Sequence, residues 1–485
     1  MQDNIIKEIF DLKELGDTIV VNSRIEGNIK IITLERKLTP VYCPLCNEIM
    51  HSQGFYIRHV DHSILNDGYK LVLEVKQRKY RCTNPNCNHY MNESFSFVER
   101  YKHKSYITPY LILEDLKDLS SSVSSIARRR KVSDTYVHNL ILTHLEFKRL
   151  PLSEALSIDE VFLDIDEEAR YCVVLRDFIN DKIIDILPNR NKATFDDYFI
   201  HIPKEERNKV KYILCDMYNP YINLTNTYFT KAEAVIDSFH VIQWINNRIN
   251  LYINDVKKRY QKIDDDKRKE LNYKENKNFT RRKESKEVYL LKRHKWVLLS
   301  NVNNIEYHEY RHLNRHLGKY VNTSDIEKDF LSLDDNFPEI RRLKEMYISF
   351  NTSDNTDMQY LNDKLDKIII TYKESNLKMF KEFGKLLENH KKEILNSFIK
   401  FKITPKDDDT TELYRRLSNG PMEGFNRKPK DLKRLGRGYN NFDSVRNRIL
   451  WSIRDDASFL GSPKPLKEVR EKHQGPKRGP YNKNK

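Results

Sequence analysis

The sequence predicts a multidomain α/β protein, and three features of the 485-residue chain support this fold class. Paired cysteines lie near the N-terminus, beside stretches that alternate apolar and polar residues as strands do. Short apolar strand candidates begin soon after Pro151. From His240 to about residue 400 the pattern is almost wholly helical. A chain of this length can form several domains and at least one sizeable core.

Composition favours a polyanionic partner. The formal net charge is +15, and 32% of the residues are charged. A basic soluble protein without such a partner fits the composition about equally well. No apolar run approaches the roughly 18 residues that cross a bilayer, and residues 1–10 lack the apolar core of a signal peptide. We therefore expect a cytoplasmic protein with no membrane partner.

Residues 1–40 are predicted to form N-terminal strands, and residues 41–100 a cysteine-rich unit. Four cysteines stand in two pairs with structural zinc-site spacing: Cys43, Cys46, Cys82 and Cys87. Asn47 and Asn88 follow the pairs and tolerate the left-handed backbone that such turns need. We predict a zinc ribbon with a closed structural Zn²⁺ site, and the alternative is four buried thiols without metal.

Residues 104–150 are predicted to contain a helix-turn-helix DNA-binding domain. The first helix ends in a basic cluster, and Ser133 begins a second helix that buries Val137, Leu140 and Ile141. The candidate DNA contacts are the basic cluster and the outward residues of the second helix: Arg128, Arg129, Arg130, Thr135, Tyr136, His138 and Asn139. An ordinary helical hairpin is the alternative interpretation.

Carboxylates accompany the strand candidates that follow. Asp159 lies in the first of three strands predicted to form an antiparallel meander, and Asp216 directly follows an apolar strand. Two such acids and a glutamate from a helix suit a pair of Mg²⁺ ions at a phosphodiester. The spacing cannot choose between Asp159 and Glu160, and further acids compete for the role: Asp164, Asp166, Asp177 and Asp185.

Glu423 supplies the helical acid within a strongly basic segment. Helical spacing puts Asn426, Lys430 and Lys433 on the face of Glu423, where an acid beside amide and ammonium groups suits a metal next to a phosphate. With Arg434, these basic and amide side chains are candidate DNA contacts. Pro429 interrupts the helix and is expected to kink it, which weakens the single-face alignment of the lysines.

These motifs, taken in order, resemble those of the ISL3 family of insertion-sequence transposases. The resemblance rests on Ser157-Ile-Asp-Glu160, Cys215-Asp-Met-Tyr-Asn-Pro-Tyr221, Asp237-Ser-Phe-His240, Gly420-Pro-Met-Glu-Gly-Phe-Asn426 and Gly438-Tyr-Asn-Asn-Phe442. The cysteine pairs and the helix pair also match the family's N-terminal modules, so the resemblance covers nearly the whole chain. Pro429 departs from the aliphatic residue that many relatives carry.

The resemblance implies an RNase H-like mixed-sheet catalytic core of the DDE type, interrupted by a long all-helical insertion. Carried over by motif, Asp159, Asp216 and Glu423 become the catalytic triad that binds Mg²⁺ or Mn²⁺. Asp237 and His240 match a second family signature, with positioning near the active site or DNA as its expected role. The implied parts are the core at 152–242 and 411–458, the insertion at 243–410 and a basic disordered tail at 459–485.

The implied function is that of a DNA transposase. It would bind the inverted-repeat ends of an insertion sequence and perform metal-dependent phosphodiester cleavage and strand transfer. The expected partners are double-stranded DNA, at element ends and target, and further copies of the chain, in a bacterial protein associated with the nucleoid. The alternatives are a non-catalytic DNA-binding protein derived from a transposase and an RNase H-like nuclease without strand transfer.

Overall fold

The computed structural model describes residues 18–64, 68–274, 284–403, 413–436, 439, 441–460 and 463–471. Among them is no helix long and apolar enough to cross a membrane. The described chain comprises an N-terminal sheet, a group of short helices, a mixed sheet and a large helical region.

The N-terminal region is a six-stranded sheet in the order β1-β2-β5-β4-β3, with β6 paired to β5. Its strands are β1 (Thr18–Glu26), β2 (Ile29–Arg36), β3 (Val41–Tyr42), β4 (Ile49–Asp61), β5 (Lys70–Cys82) and β6 (Tyr90–Asn92). The predicted N-terminal strands are therefore present within the described part of residues 1–40. Apolar residues of β2 and β5 form the core of this sheet together with Phe95, Phe97 and Val98.

Three short helices follow and pack on one another. They are α1 (Ile107–Lys117), α2 (Val123–Arg129) and α3 (Asp134–Thr143). Ser122 and Ser133 cap α2 and α3 by accepting backbone N–H bonds from the third residue beyond each cap. The predicted pair of helices with Ser133 as N-cap is confirmed, and β7 (Leu145–Glu146) ends this region.

A five-stranded mixed sheet forms the next region, with strand order β10-β9-β8-β11-β12. The strands are β8 (Ala155–Phe162), β9 (Tyr171–Asp177), β10 (Lys182–Leu187), β11 (Tyr212–Cys215) and β12 (Glu233–Ile236). β8, β9 and β10 form the predicted antiparallel meander. β11 runs parallel to both β8 and β12, so the sheet combines antiparallel and parallel pairs.

Helices cover both faces of this sheet. Because side chains alternate along a strand, Val161 of β8 packs with α1, α2 and α3, whereas Leu156 and Ile158 pack on the other face. The helices between strands are α4 (Lys192–Ile200), α5 (Lys204–Arg207), α6 (Asn219–Ile222) and α7 (Leu224–Thr227). Phe195 and Phe199 of α4 complete the second face.

A helical region with its own core follows β12. It contains α8 (Ser238–Lys274), α9 (Lys286–Arg293), α10 (Trp296–Leu299), α11 (Thr323–Leu331), α12 (Phe337–Asn351), α13 (Met358–Glu374), α14 (Lys378–Asn389) and α15 (Lys391–Asn396), with a 3-10 turn at Val302–Asn304. Val241, Ile245, Ile249 and Ile253 form a stripe at helical spacing that buries α8 against the others.

This insertion is not all-helical, and that part of the prediction is wrong. β13 (His312–Asn314) and β14 (Lys319–Val321) form a hairpin, and β15 (Lys400–Ile403) pairs with β16 (Leu413–Arg416). Strands of three or four residues are too short to show a period-2 pattern against the surrounding helical signal.

The last region contains α16 (Gly420–Gly436), α17 (Phe442–Ile453), β17 (Ser458–Phe459) and α18 (Leu466–Glu471). α16 contains Pro429 and is assigned as one helix. The expectation of a disordered tail is wrong for the described residues, because β17 pairs with β7 and Lys464 N donates to Thr143 O at 2.9 Å. Residues 472–485 lie outside the described part.

Candidate active site and metal-binding cysteines

Three aspartates stand level with one another just beyond the parallel pairing of β8, β11 and β12. Leu214 pairs with Ser157 and Cys215 with Ile236. Asp159 follows Ser157 by two positions, and Asp216 follows Leu214 by two positions. Asp237 directly follows Ile236. Neighbouring strands lie about 4.8 Å apart, so the three residues form a row across β8, β11 and β12. We call Asp159, Asp216 and Asp237 the acid row.

Asp159 faces α16. One carboxylate oxygen, Oδ2, accepts a hydrogen bond from Asn426 Nδ2 at 2.8 Å, and Oδ1 accepts one from Glu160 N at 2.8 Å. Burial raises the pKa of Asp159 to about 6 against the opposing effects of the Glu160 N–H and the His240 charge, and the charges of Asp216 and Asp237 add to the rise. Asp159 therefore carries a carboxyl group that a nearby cation would help to ionise.

The other two acids of the row share this environment. Burial raises the pKa of Asp216, while the charge of His240 and the N–H of Tyr218 oppose the rise. Burial also raises the pKa of Asp237, against the His240 charge and N–H groups of Phe239 and Asn419. His240 lies in the first turn of α8, just beyond Asp237, and its charge acts on all three aspartates.

Glu423 joins the row from the first turn of α16. Its charge adds to the rise in the pKa of Asp237, whose main cause is burial. Asn419 Nδ2 donates to Ile158 O at 3.1 Å and thereby fixes the start of α16 against β8. Glu423 itself is exposed, so it lies at the open side of the row.

The competing acids near the row all have other partners. Glu160 points to the opposite face of the sheet, where it binds Arg190 Nη1 at 2.8 Å and Tyr221 Oη at 2.8 Å. The others pair with arginine side chains or accept turn N–H groups, and these are Asp164, Asp166, Asp177 and Asp185. Asp159 is therefore the acid of this pair that contacts α16, while the charge of Glu160 adds to the raised pKa of Asp216.

The acids do not converge as closely as metal ligands do in a closed site. Among the described residues, only the four cysteines form a group of three or more His, Cys, Asp or Glu side chains with ligand atoms all within 4.8 Å of one another. The acid row and Glu423 are therefore more widely spaced than the four sulfurs.

The predicted single face of α16 is only partly present. Asn426 is buried and its Nδ2 donates to Asp159 of the acid row, so its prediction as a DNA contact is wrong. Lys433 Nζ donates to Asp164 O at 2.7 Å and to Tyr439 O at 3.2 Å. Lys430 and Arg434 are exposed, and Arg434 pairs with Asp431 one turn away.

The four cysteines form a compact group. Cys43 and Cys87 have their sulfurs 3.6 Å apart, and the sulfurs of Cys46 and Cys82 are 3.4 Å apart. With Zn–S bonds of about 2.3 Å, a tetrahedral site has sulfurs about 3.8 Å apart, so the group fits a zinc ion. Asn47 and Asn88 have φ values of 60° and 46°, which confirms the predicted left-handed turns.

The pKa values of the cysteine thiols also bear on cation binding. Although burial acts against ionisation of Cys43, the N–H groups of Leu45 and Cys46 lower its pKa to about 7. Burial raises the pKa of Cys82 to about 12. Cys82 therefore stays a thiol unless a cation stabilises its thiolate, and the spacing of the four sulfurs is compatible with structural zinc.

The helix pair presents fewer basic side chains than expected. Arg130 is only 7% exposed, with Nε 2.8 Å from Asp115 Oδ2, and Arg129 also pairs with that carboxylate at 3.1 Å. Arg130 is therefore an interior anchor between α1 and α2, and the expectation that it contacts DNA is wrong. Arg128 is exposed.

The outward face predicted for α3 is also corrected. His138 contacts Tyr439 edge-to-face at 5.9 Å and lies 3.4 Å from Ser444 Oγ, so it packs against α17. Tyr136 lies under Lys104 Nζ at 4.8 Å, and burial raises its pKa to about 12. Thr135 is exposed and Asn139 is half-buried, so these two remain candidates.

A known family covers this site. A family model described as a transposase, of the DDE type and the ISL3 family, matches residues 156–449, more than half of the chain. The match includes the acid row, the helical insertion and Glu423. No curated protein matches the chain.

Proposed function

The chain belongs to the ISL3 family of transposases, and from this premise we propose that it cleaves and joins DNA at the acid row. The observation that carries the proposal is the level placement of Asp159, Asp216 and Asp237 across three parallel strands, with Glu423 beside them. The strand order of the mixed sheet supports an RNase H-like core for which residues 156–449 provide both parts.

Asp159, Asp216 and Glu423 would hold the catalytic ions. The donor set fits Mg²⁺ or Mn²⁺, because both prefer carboxylate oxygens and the raised pKa values of Asp159 and Asp216 fall when a cation binds. Asn426 adds a buried amide oxygen that has no hydrogen-bond partner. When bound, the ions supply Lewis-acid stabilisation of the attacking and leaving oxygens of a phosphodiester.

The side chains around the acids orient the site. Asn426 holds the Asp159 carboxylate through its amide N–H, which fixes the direction of the remaining oxygen lone pairs. The charge of His240 acts on all three aspartates and offsets part of their negative charge. Asp237 is 4% exposed and takes N–H bonds from two neighbours, so we assign it as a positioning residue.

DNA recognition would fall to the N-terminal half. We assign the cysteine cluster as a zinc ribbon, and α2 and α3 as a helix-turn-helix whose exposed Arg128 and Thr135 meet the duplex. Lys430 and Arg434 on α16 would contact phosphates near the acids. A transposition assembly on paired DNA ends would contain several copies of the chain.

Cleavage of DNA carrying the element ends tests the proposal. We expect Mg²⁺-dependent nicking and joined products, and the variants Asp159→Asn and Glu423→Gln should lose both while they still bind the DNA. Asp164→Asn is the matched control, because asparagine suits the left-handed backbone at this exposed acid (φ 46°). Full cleavage by Asp159→Asn would refute the assignment. DNA binding without cleavage under any divalent metal would favour the non-catalytic alternative, and cleavage without joining would favour a nuclease.

A further inference from the structure

A second concave site lies on the other flank of α16. It is a cavity of about 810 Å³ bounded by α16, the β9–β10 turn and the segment after α17. Gly424 and Lys428 are one turn apart on α16 and line the cavity, whereas Glu423 and Asn426 lie on the flank that faces the acids. The two flanks are separated by roughly one helix diameter, about 10 Å.

The charges that line this cavity leave a basic excess. Arg176 pairs with Asp181, and Arg454 pairs with Asp456. Lys182 and Lys428 are exposed, and neither ammonium group forms an ion pair with another described residue. Asp455 is the one further carboxylate that lines the cavity, and it opposes the charge of these two lysines. The charge of Lys182 also acts on Asp456, so the lining keeps one net positive charge for a ligand of opposite sign.

A buried arginine in the cavity wall has an unused donor. Arg176 is only 2% exposed, and its Nε and Nη2 both donate to a single oxygen of Asp181. Its Nη1 is buried and has no hydrogen-bond partner in the described structure. A buried donor without a partner is costly, and an arginine fork matches the oxygens of a phosphate.

We propose that this cavity binds a phosphate group of a DNA strand, held by Lys182 and Lys428 on the side of α16 away from Glu423, with the buried Arg176 guanidinium in the wall behind them. The proposal rests on the proposed function, because it adds a strand-holding site to a DNA-cleaving one. Gly424 has no side chain, and no atom lies within 4 Å of the position that a Cβ would take there. A DNA strand can therefore approach the helix backbone at Gly424. A strand that crosses the start of α16 then touches both the phosphate cavity and the acids.

The test compares the DNA binding of two double variants of the full chain. Lys182→Ala with Lys428→Ala removes the two free lysines of the cavity. Lys381→Ala with Lys385→Ala removes the same charge from exposed positions of α14 in the insertion. Fluorescence anisotropy with a labelled duplex, at several salt concentrations, gives the slope of log affinity against log salt, and the thermal transition of each variant reports its folding. Calorimetry with inorganic phosphate forms the second arm.

We expect the cavity variant to lose about one from the salt slope, because the cavity holds one phosphate, and the control to keep the wild-type slope. An unchanged slope in the cavity variant overturns the proposal. Loss of inorganic phosphate binding with an unchanged DNA slope also overturns it, because the site would then take a free anion. Cleavage by the acid variants is measured separately, so a failure here leaves the proposed catalytic function standing.

Discussion

The cysteine cluster and the acid row are two candidate metal sites that differ in how closely their ligand atoms converge. The four sulfurs lie within 4.8 Å of one another, on tight turns of a single sheet. The acids come from three strands and a helix, and they do not converge to that distance. A closed set of four ligands leaves no room for a substrate, whereas an open set does.

The difference also appears in how each site is supported. Short backbone turns hold the cysteines, with Cys43 N bonded to Glu48 O at 2.8 Å and Cys82 N to His89 O at 2.9 Å. Long-range contacts hold the acids, such as the bond from Asn426 to Asp159. Local turns create the first site, and the whole mixed sheet with α16 creates the second. Four predictions test this contrast, in order of decreasing effect.

Removal of one sulfur ligand should have the largest effect. Cys82→Ser is expected to lower the zinc content from one ion per chain to none and to unfold the cysteine turns, because structural zinc contributes about 10 kcal/mol or more. Elemental analysis and chelator titration measure this. Cys172→Ala, a buried thiol of the mixed sheet, should keep its zinc. Zinc retained by Cys82→Ser would contradict the four-sulfur site.

Loss of a carboxylate from the open site should affect chemistry and leave folding intact. Asp216→Asn is expected to slow DNA cleavage at least about a thousandfold, a loss of roughly 4 kcal/mol of transition-state stabilisation. Its thermal stability should equal or exceed that of the wild type, because burial disfavours the charged carboxylate. Cleavage within tenfold of wild type would remove Asp216 from the metal site.

The raised pKa of Asp159 predicts a pH-dependent stability. Its pKa in the folded protein is about 6, against about 3.9 for an unperturbed aspartate, so the native state binds more protons than the unfolded state between these pH values. Stability should therefore fall as pH rises from about 4 to 6, by about 3 kcal/mol from this group in the absence of divalent ions. Urea unfolding of wild type and Asp159→Asn measures the difference. Equal pH profiles would contradict the burial of a titrating carboxyl group there.

The residues that orient the acids should have the smallest effect. Asn426→Ala and Asp237→Asn are each expected to weaken Mn²⁺ affinity or cleavage by about 10- to 100-fold, as for other groups that hold metal ligands. Asn426→Asp is a second variant to measure, because it places a carboxylate beside that of Asp159 and the two carboxylates would repel each other. If Asp237→Asn lost as much cleavage activity as Asp216→Asn, Asp237 would instead be a metal ligand.

Local patterns in the sequence predicted much of the fold. The cysteine spacing, the Ser133 cap and the period-2 strands each depend on a few neighbouring residues, and all are present. The hairpin of β13 and β14 and the helix α18 were missed, because each is too short for a periodic signal.

The candidate site was harder to predict, since tertiary contacts decide it. Spacing could not separate Asp159 from Glu160, but strand alternation puts them on opposite faces of the sheet. The interior roles of Arg130 and His138 depend on Asp115 and α17, which are distant in sequence. The place of Asp237 in the row follows from the register of β11 and β12, which a strand pattern alone does not contain.

Crystals soaked in Mn²⁺ and measured for anomalous scattering test the central claim most directly. The account predicts Mn²⁺ peaks between Asp159 and Asp216 and on the side toward Glu423, with none at the cysteine cluster, where zinc should scatter instead. Absence of Mn²⁺ from the acid row, or peaks confined to Asp164 or Asp185, would contradict it.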